Sequence, residues 1–320
     1  MTRGDRLAWL AASNTTQRAE LVHVGYDDSA QAPAACMPLA RIAGDLTGER
    51  WLTDQPTTRS EIAGWQVSAT PCLAVASRFV PPGERTLAET SDTVYQELFD
   101  VQRVTGLAWP QRVWHVLSDV VGGTGETQRY RQFCRGRAEA LSTLDDEPAC
   151  RWDPLPPATL VGGARPGLWI QALLGETPVA PVENPRQVSA WAYPARYAER
   201  APAFARGGIV TAGATRFLMI SGTAAIVGHE SQYPGDVLAQ FDEALANVRA
   251  VIGAAAPQIG PHELGDLVCL KLYVRHAGDA TRLLGHARRR LPDMPMAALA
   301  ATICRDELLV ELEAHLRVRD

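Results

Sequence analysis

The sequence predicts an α+β fold in which two similar modules are fused in one chain. The order strand–helix–strand–helix–strand–strand occurs twice along the 320 residues. Some segments alternate apolar and polar residues, as strands do, and others carry apolar residues at the spacing of helices. Crossover helices join parallel strands, and hairpins join antiparallel ones. Each module should therefore be a mixed β-sheet with helices packed on one face, and the two modules should form a pseudo-oligomer.

The first module is expected over residues 1–180 and begins with an irregular segment. Residues 27–66 are rich in Asp, Thr, Gly, Pro and Ser and show weak periodicity, which indicates loops with a few short strands. The alternation becomes clear after Pro71. The expected elements are a strand over 72–80, a helix over 86–105, a strand over 111–121, a helix over 126–144, and strands over 158–161 and 167–174.

A connecting arm over 181–206 leads into the second module, 207–320. There a strand pair over 209–220 is followed by Asp236, a typical N-cap residue. An apolar stripe beyond it predicts a helix that ends at Gly253. The remaining expected elements are a strand over 267–275, a helix capped by Asp279, and closing strands over 296–304 and 308–318.

Composition limits the partners that the protein can have. The net charge of −5 argues against a nucleic-acid binder, which needs a basic face. No apolar run approaches the roughly 18 residues of a membrane helix, and the apolar stretch at 7–12 is too short for a secretory signal. Six cysteines occur singly, without zinc-ligand spacing. We expect a cytoplasmic protein with reduced thiols that binds no metal, nucleic acid or membrane.

The last predicted strand carries the most informative polar residues. Glu311, Glu313, His315 and Arg317 share one face, because side chains alternate along a strand. In an isolated sheet this face would meet solvent, whereas two sheets packed together would enclose it in a cleft. A desolvated carboxyl group there would have a raised pKa and could donate a proton near neutral pH. The equivalent strand over 167–174 lacks a carboxylate, which predicts one site per chain.

Two other segments combine arginines with aromatic residues. Residues 129–137 contain four arginines and two aromatic residues, and residues 191–206 mix both types. Arginine binds a carboxylate through two hydrogen bonds, and aromatic neighbours can flank a flat ring. Solvated surface arginines and structural ion pairs would show the same pattern. Sequence motifs of serine hydrolases and of dinucleotide binders do not occur.

Residues 209–318 resemble the RidA/YjgF family of reactive-intermediate deaminases. The resemblance rests on the order and spacing of four segments, Ile220–Ala224, Ala244–Val248, Leu270–Val274 and Val310–Ala314. It implies RidA/YjgF-like modules. The deaminases carry an arginine in a Pro-x-Arg segment before the last strand, where this chain has Met294-Pro-Met-Ala-Ala. This departure argues against imine hydrolysis, which we keep as an alternative.

Over residues 71–318 the chain resembles the chorismatases, enzymes that fuse two such modules. The matching segments are residues 129–140, 183–190 with Tyr193, 202–206 and 221–231, and the strand of Glu311. The resemblance implies that the substrate is chorismate, a cyclohexadiene with two carboxylates and an enolpyruvyl ether. One product would be pyruvate and the other 3-hydroxybenzoate, which we expect here, or a dihydroxycyclohexadiene carboxylate. A non-catalytic ligand binder is a further alternative.

The resemblance also implies roles for individual residues. Glu311 would protonate the methylene carbon of the enol ether, a step suited to a buried carboxylic acid. Arg137 and either Arg200 or Arg206 would hold the two carboxylates. Tyr130, Tyr193 and Tyr197 would flank the ring, and Gly222 would line the site. The product would be decided by Ala224, Ala225 and Cys304. We expect no cofactor and, since fused modules can close their own cleft, a monomer.

Overall fold

The N-terminal segment forms strands ahead of the first module. The structure is a computed structural model that describes residues 6–9, 19–29, 31–144, 147–194, 200–212 and 215–318, so the predicted ring contact Tyr197 lies outside the described residues. The strands of this segment are β1 (Arg6–Trp9), β2 (Ala19–Gly25), β3 (Arg41–Gly44) and β4 (Gly48–Thr53). A small sheet has the order β1-β4-β2, whereas β3 joins the edge of a larger sheet.

A six-stranded mixed sheet with two helices forms the first module. Its elements are β5 (Thr58–Ile62), β6 (Trp65–Ala69), β7 (Leu73–Val80), α1 (Leu87–Thr105), β8 (Trp109–Ser118), α2 (Arg129–Leu141), β9 (Ala158–Gly163) and β10 (Leu168–Gly175). The sheet order is β5-β6-β7-β10-β8-β9. Helix α1 begins at a capping box of Thr86 and Glu89 and ends at Gly106, whose φ of 71° suits a glycine.

The second module repeats this arrangement. Its elements are β11 (Ala180–Val182), β12 (Gly207–Ala212), β13 (Thr215–Ala224), β14 (Ile226–Val227), β15 (Glu230–Ser231), α3 (Val237–Ile259), β16 (Leu267–Val274), α4 (Ala280–Arg290), β17 (Met296–Ala300) and β18 (Val310–Arg317). The large sheet has the order β11-β12-β13-β18-β16-β17-β3, and β14 and β15 form a separate hairpin. The Asp236 carboxylate caps α3 as predicted. The predicted end at Gly253 is wrong, because Ala255 and Ile259 continue the buried stripe.

The two large sheets pack face to face around a shared apolar core. Trp114 and Trp169 of the first sheet lie in the same cluster as Phe217 and Tyr273 of the second. Helices cover the outer face of each sheet and form two further cores. This arrangement confirms the predicted α+β fold of two modules with helices on one face. None of the helices in the described ranges has the length and apolar character needed to cross a membrane.

Strand β18 lies in the centre of the second sheet, between β13 and β16. Its apolar side packs under α3 and its polar side faces the first sheet. Glu311, Glu313 and His315 are only 5%, 0% and 1% exposed. The solvent-exposed alternative is therefore wrong for these three residues, and only Arg317 of the predicted polar face is exposed.

Strand β9 of the first module lies beside β13 of the second. The backbone N–H of Ala158 donates to the Ser221 hydroxyl at 3.0 Å. The backbones of Gly162 and Thr302 exchange two hydrogen bonds, at 2.6 and 3.0 Å. These hydrogen bonds hold β9 of the first module against β13 and against the segment after β17 of the second module.

Candidate active site

Glu311 lies at the start of β18, where the neighbouring strand is irregular. Strand β13 pairs with β18 so that Ala224 is opposite Glu311, and the register shifts between Ile220 and Thr223. Gly222 stands inside this irregular stretch, and the Glu311 carboxyl group lies directly against its Cα. Because glycine has no side chain, the Glu311 carboxyl group can contact the backbone of β13 directly.

Two cavities meet at Glu311. The outer cleft has a volume of about 230 Å³, and the inner cavity has a volume of about 60 Å³. The residues that line both are Tyr130, Pro202, Phe204, Gly222, Cys304 and Glu311. The acid therefore lies at the junction of a larger and a smaller cavity.

Guanidinium groups line the outer cleft. Arg206 is 6% exposed, and its Nη2 donates to the Val188 carbonyl at 2.8 Å and to the Tyr193 hydroxyl at 2.7 Å. Its Nε has no hydrogen-bond partner in the described part of the chain. Arg305 donates to the His229 carbonyl at 2.9 Å, and its guanidinium carbon lies 5.4 Å from the centre of the Tyr193 ring.

Arg131 also lines the outer cleft, and so do the carboxylates of Asp306 and Glu307. The three guanidinium groups of the cleft outnumber these two carboxylates, and Arg206, which is buried and whose Nε–H has no partner within the described ranges, is the group best suited to hold an anion.

A further arginine lines the inner cavity. Arg137 is 5% exposed, and its guanidinium carbon lies 5.4 Å and 5.8 Å from the ring centres of Tyr95 and Trp152. Its Nε and Nη2 have no hydrogen-bond partner among the described residues. A buried guanidinium with free N–H groups is costly, which a bound carboxylate would relieve.

His115 forms part of the inner cavity as a neutral ring. Its Nδ1 lies 2.9 Å from the Thr159 carbonyl, which can only accept, so Nδ1 carries the proton. Its Nε2 then accepts from the Tyr95 hydroxyl at 2.7 Å. Burial, followed by the charge of Arg137, lowers the pKa of His115 to about 3. His115 therefore orients its neighbours without adding charge to the site.

A network of buried charges lies next to Glu311 on the same face of β18. Glu313 accepts from the Trp114 indole at 2.8 Å and from the Tyr273 hydroxyl at 2.9 Å. Its carboxylate also pairs with Lys271 Nζ at 2.5 Å and with Arg112 Nη2 at 3.0 Å. Burial alone would raise the pKa of Glu313, but the two cations outweigh it and lower the pKa well below its usual range. Glu313 is thus a carboxylate.

The charges of this network balance without Glu311. Lys271 also pairs with Glu49 at 2.7 Å, so two cations, Lys271 and Arg112, face two carboxylates, Glu49 and Glu313. His315 stays neutral, because burial and the charge of Lys271 lower its pKa to about 4. Burial and the negative charge of Glu313 raise the pKa of Glu311 to about 8. Glu311 therefore carries a proton at neutral pH.

The structure brings together most of the residues that the sequence singles out. Glu311, Cys304, Tyr130 and Gly222 border both cavities; Arg206, Tyr193 and Ala224 line the outer cleft; Arg137 lines the inner one. Arg200 is exposed and does not line either of these cavities, and Ala225 is fully buried behind them. Within the described ranges, no group of His, Cys, Asp and Glu residues is placed to hold a metal ion.

Sequence reasoning missed the residues that surround Glu313. Thr159, Arg112 and Glu49 come from other parts of the chain, and no local pattern connects them to β18. One signal was available: Lys271 is the single lysine of the chain, beside thirty arginines. A lone lysine on the polar face of a central strand differs from the solvated lysines of ordinary surfaces.

Comparisons with known proteins identify the family. Residues 49–174 match the family model of the N-terminal part of FkbO/Hyg5-like chorismatases. A 3-hydroxybenzoate synthase of Streptomyces hygroscopicus is 33% identical over 276 residues, which cover 83% of this chain and 80% of the relative. The chain belongs to the chorismatase family.

Two further comparisons extend over more of the chain. A chorismatase of Streptomyces rapamycinicus is 33% identical over 304 residues, which cover 91% of this chain and 88% of the relative. The crystal structure of a chorismatase superposes with a TM-score of 0.79 at 24% identity and covers 93% of this chain and 92% of the other. The chorismatase fold thus spans both modules.

Proposed function

We propose that this enzyme cleaves the enolpyruvyl ether of chorismate and releases pyruvate and 3-hydroxybenzoate. The observation that carries the proposal is a buried, protonated carboxylic acid, Glu311, at the junction of two cavities that arginines line. Chorismate carries two carboxylates, and a charge transferred into a confined site needs a partner there. Arg137 and Arg206 supply one guanidinium on each side of the acid.

Glu311 begins the reaction as a general acid. Its proton goes to the methylene carbon of the enol ether, which becomes the methyl group of pyruvate, and the positive charge moves to the ether carbon as an oxocarbenium ion. The Glu311 carboxylate that remains stabilises this cation in a site largely closed to water. Tyr130 and Tyr193, which border the same space, are proposed to flank the ring.

The fate of the cation decides the second product. Capture by water consumes one water molecule and leaves a dihydroxycyclohexadiene carboxylate. Capture by the ring hydroxyl consumes no water: its oxygen bonds to the cation and its proton returns to the Glu311 carboxylate. The bond between that oxygen and the ring then breaks, so the oxygen leaves as the carbonyl oxygen of pyruvate when the ether bond to the pyruvyl carbon also breaks. The ring becomes aromatic by losing the hydrogen of its ether-bearing carbon as a proton, which goes to the ether oxygen and makes it the phenol of 3-hydroxybenzoate. The 3-hydroxybenzoate synthase among the relatives supports the second route.

Cys304 is proposed to favour the aromatic product by its position. It borders both cavities with Glu311. Burial and the nearby Glu311 raise its pKa to about 12, so it stays a neutral thiol. Ala224 lies on the wall of the outer cleft, and both residues would limit the room for water beside the cation. Ala225, which is buried behind this wall, would act only through Ala224.

Pyruvate release from chorismate tests the proposal. Glu311→Gln keeps the shape of the side chain but removes the acid, and should lower kcat by about a thousandfold or more. Glu176→Gln is the matched control, because Glu176 is exposed and lines neither of the two cavities, and its activity should equal that of the wild type. Chromatography of the products distinguishes 3-hydroxybenzoate from the dihydroxy acid. Absence of pyruvate from the wild-type reaction would refute the function, and an active Glu311→Gln variant would refute the role of the acid.

We also propose that one chain forms one complete site. Arg137 belongs to the proposed first module (1–180), Arg206 to the arm (181–206), and Glu311 to the second module (207–320). Because both modules and the arm supply residues, a monomer suffices for activity. Light scattering of the active fraction should give the mass of a single chain, and activity confined to a larger species would contradict this.

A further inference from the structure

The hydroxyl group of Thr159 makes three hydrogen bonds, the largest number that a hydroxyl group can make. Its Oγ1 donates to Glu313 Oε2 at 2.6 Å and accepts from Arg112 Nη2 at 2.5 Å and from the backbone N–H of Gly222 at 2.9 Å. A hydroxyl has one proton to donate and two lone pairs. Every hydrogen-bonding position of this side chain is thus occupied, at a residue that is 3% exposed.

These three bonds connect four strands, and two of the bonds cross the module boundary. Thr159 lies on β9 and Arg112 on β8 of the first sheet, whereas Glu313 and Gly222 belong to β18 and β13 of the second. The bond to Gly222 falls inside the stretch where the register of β13 shifts. A residue of one module therefore fixes the backbone irregularity of the other.

The position of Gly222 determines where the acid can lie. The Glu311 carboxyl group is packed against the Gly222 Cα, and the Thr159 methyl group borders the same space. If the Gly222 N–H lost its partner, a buried donor would be left unsatisfied and the backbone would move to find another. The carboxyl group of Glu311 would move with it.

We propose that Thr159 is a positioning residue for Glu311, which it holds at the cavity junction by anchoring Gly222 to the Glu313–Arg112 ion pair. The inference rests on the proposed function. It assigns a catalytic purpose to the contact between the modules, since the acid of the second module is held in place by a hydroxyl of the first.

Charged groups surround Glu311, so a movement of its carboxyl group should change its pKa, and a pH profile of activity measures that change. The titratable groups nearest to it are Glu313 on its own strand, Arg112 on β8, Arg206 before β12, Cys304 before β18, and Tyr130, Cys134 and Arg137 on α2, together with His115. The outer cleft adds Arg131, Tyr193, Arg305, Asp306 and Glu307.

The two carboxylates of the outer cleft, Asp306 and Glu307, are exposed, so water screens their opposing charge. Movement toward the outer cleft would bring the Glu311 carboxyl group closer to water and to Arg206. Both changes favour ionisation, so the pH at which activity is lost should fall.

The test compares two substitutions of Thr159 that differ in the hydroxyl group. Thr159→Val keeps the shape and removes all three bonds, and should lower kcat for pyruvate release from chorismate by about tenfold to a hundredfold. Its KM should stay within about twofold of the wild type, and the basic limb of its kcat/KM profile should move down by about half a pH unit or more. Thr159→Ser keeps the hydroxyl and should retain kcat within about threefold.

Three results would overturn the inference: a wild-type kcat and pH profile in Thr159→Val, equal losses in both variants, or a rise in KM alone. Circular dichroism and thermal unfolding show whether Thr159→Val is folded, and Thr159→Ala repeats the test if it is not. An inactive wild type would instead refute the proposed function. An active wild type, an inactive Glu311→Gln variant and an unimpaired Thr159→Val variant would refute only the role of Thr159.

Discussion

The carboxyl group of Glu311 occupies the space in which a side chain on Gly222 would stand. A Cβ atom built on Gly222 would overlap Glu311 Oε1, and the Thr159 methyl group closes the space on another side at 3.1 Å. The acid and the glycine therefore form one unit. This relationship explains why a glycine is needed in the irregular stretch of β13.

Gly222→Ala should remove most of the activity without unfolding the protein. The added methyl group would displace the Glu311 carboxyl group, because the Thr159 side leaves no room for the methyl group itself. We expect kcat for pyruvate release to fall by about a hundredfold or more. Gly253→Ala is the control: nothing lies within 4 Å of a Cβ there, and activity should not change. An active Gly222→Ala enzyme would show that the acid tolerates displacement.

Activity should fall as the pH rises past the pKa of Glu311. Burial, followed by the charge of Glu313, raises this pKa to about 8, and the acid must hold its proton to react. The kcat/KM value should therefore be constant from about pH 6 to 7.5 and fall about tenfold per pH unit well above 8. A bound dianion opposes ionisation of the acid, so the kcat profile should decline at higher pH than the kcat/KM profile. A profile that rises through pH 8 would contradict the general-acid role.

Glu311→Gln should stabilise the fold as it removes activity. The pKa of Glu311 is higher in the folded chain than in the unfolded chain, so its contribution to stability is fully present below about pH 4.5 and is lost as the pH rises toward 8. The glutamine amide of the variant does not ionise, so the variant does not lose this stability as the pH rises. We expect the variant to gain on the order of 4 kcal/mol relative to the wild type at pH 8 and about 1 kcal/mol or less at pH 5. Urea unfolding at both pH values measures the difference, and a gain independent of pH would exclude this cause.

Periodicity was enough to predict most of the fold. The alternation over 267–275 and the stripe from Val237 are local features, and the structure has β16 and α3 there. The end of α3 was missed because Gly253 faces open space and does not interrupt the helix. The pairing of β3 with β17 was also missed. It joins residues about 250 positions apart in the chain, and no local sequence pattern encodes such a pair.

The sequence predicted the part of the site that lies on a single strand. It did not predict the contacts between residues of different strands. The face of Glu311, Glu313 and His315 follows from alternation along β18 alone. The partners of Glu313 do not, because Arg112 and Thr159 are brought to it by the packing of one sheet on the other. The sequence left Arg200 and Arg206 as alternatives beside Arg137, because nothing local in the sequence shows that Arg206, and not Arg200, lines the outer cleft.

Lys271→Met should destabilise the fold strongly. The substitution would leave Glu49 without its close cation and Glu313 with Arg112 alone, both in a buried site. Breaking a buried pair from one side costs about 3–5 kcal/mol. The loss should be smaller at pH 5, where the carboxylates can take up a proton. Arg103→Met is the control, because its exposed pairs with Asp100 and Glu147 should contribute about 1 kcal/mol or less. Equal losses in urea unfolding would contradict the buried network.

Arg137→Met should weaken substrate binding while the chain stays folded. The methionine side chain can keep the packing against Tyr95 and Trp152, whereas the free N–H groups that would hold a carboxylate are lost. A hydrogen bond to a charged group contributes about 1.5–3 kcal/mol, so KM for chorismate should rise by about tenfold to a hundredfold. Arg135→Met on the same helix removes a guanidinium that is 42% exposed and lies near Glu139, and KM should not change. If KM rises equally in both variants, the effect comes from net charge and not from a carboxylate held by Arg137; if neither changes, the inner cavity does not hold a carboxylate of the substrate.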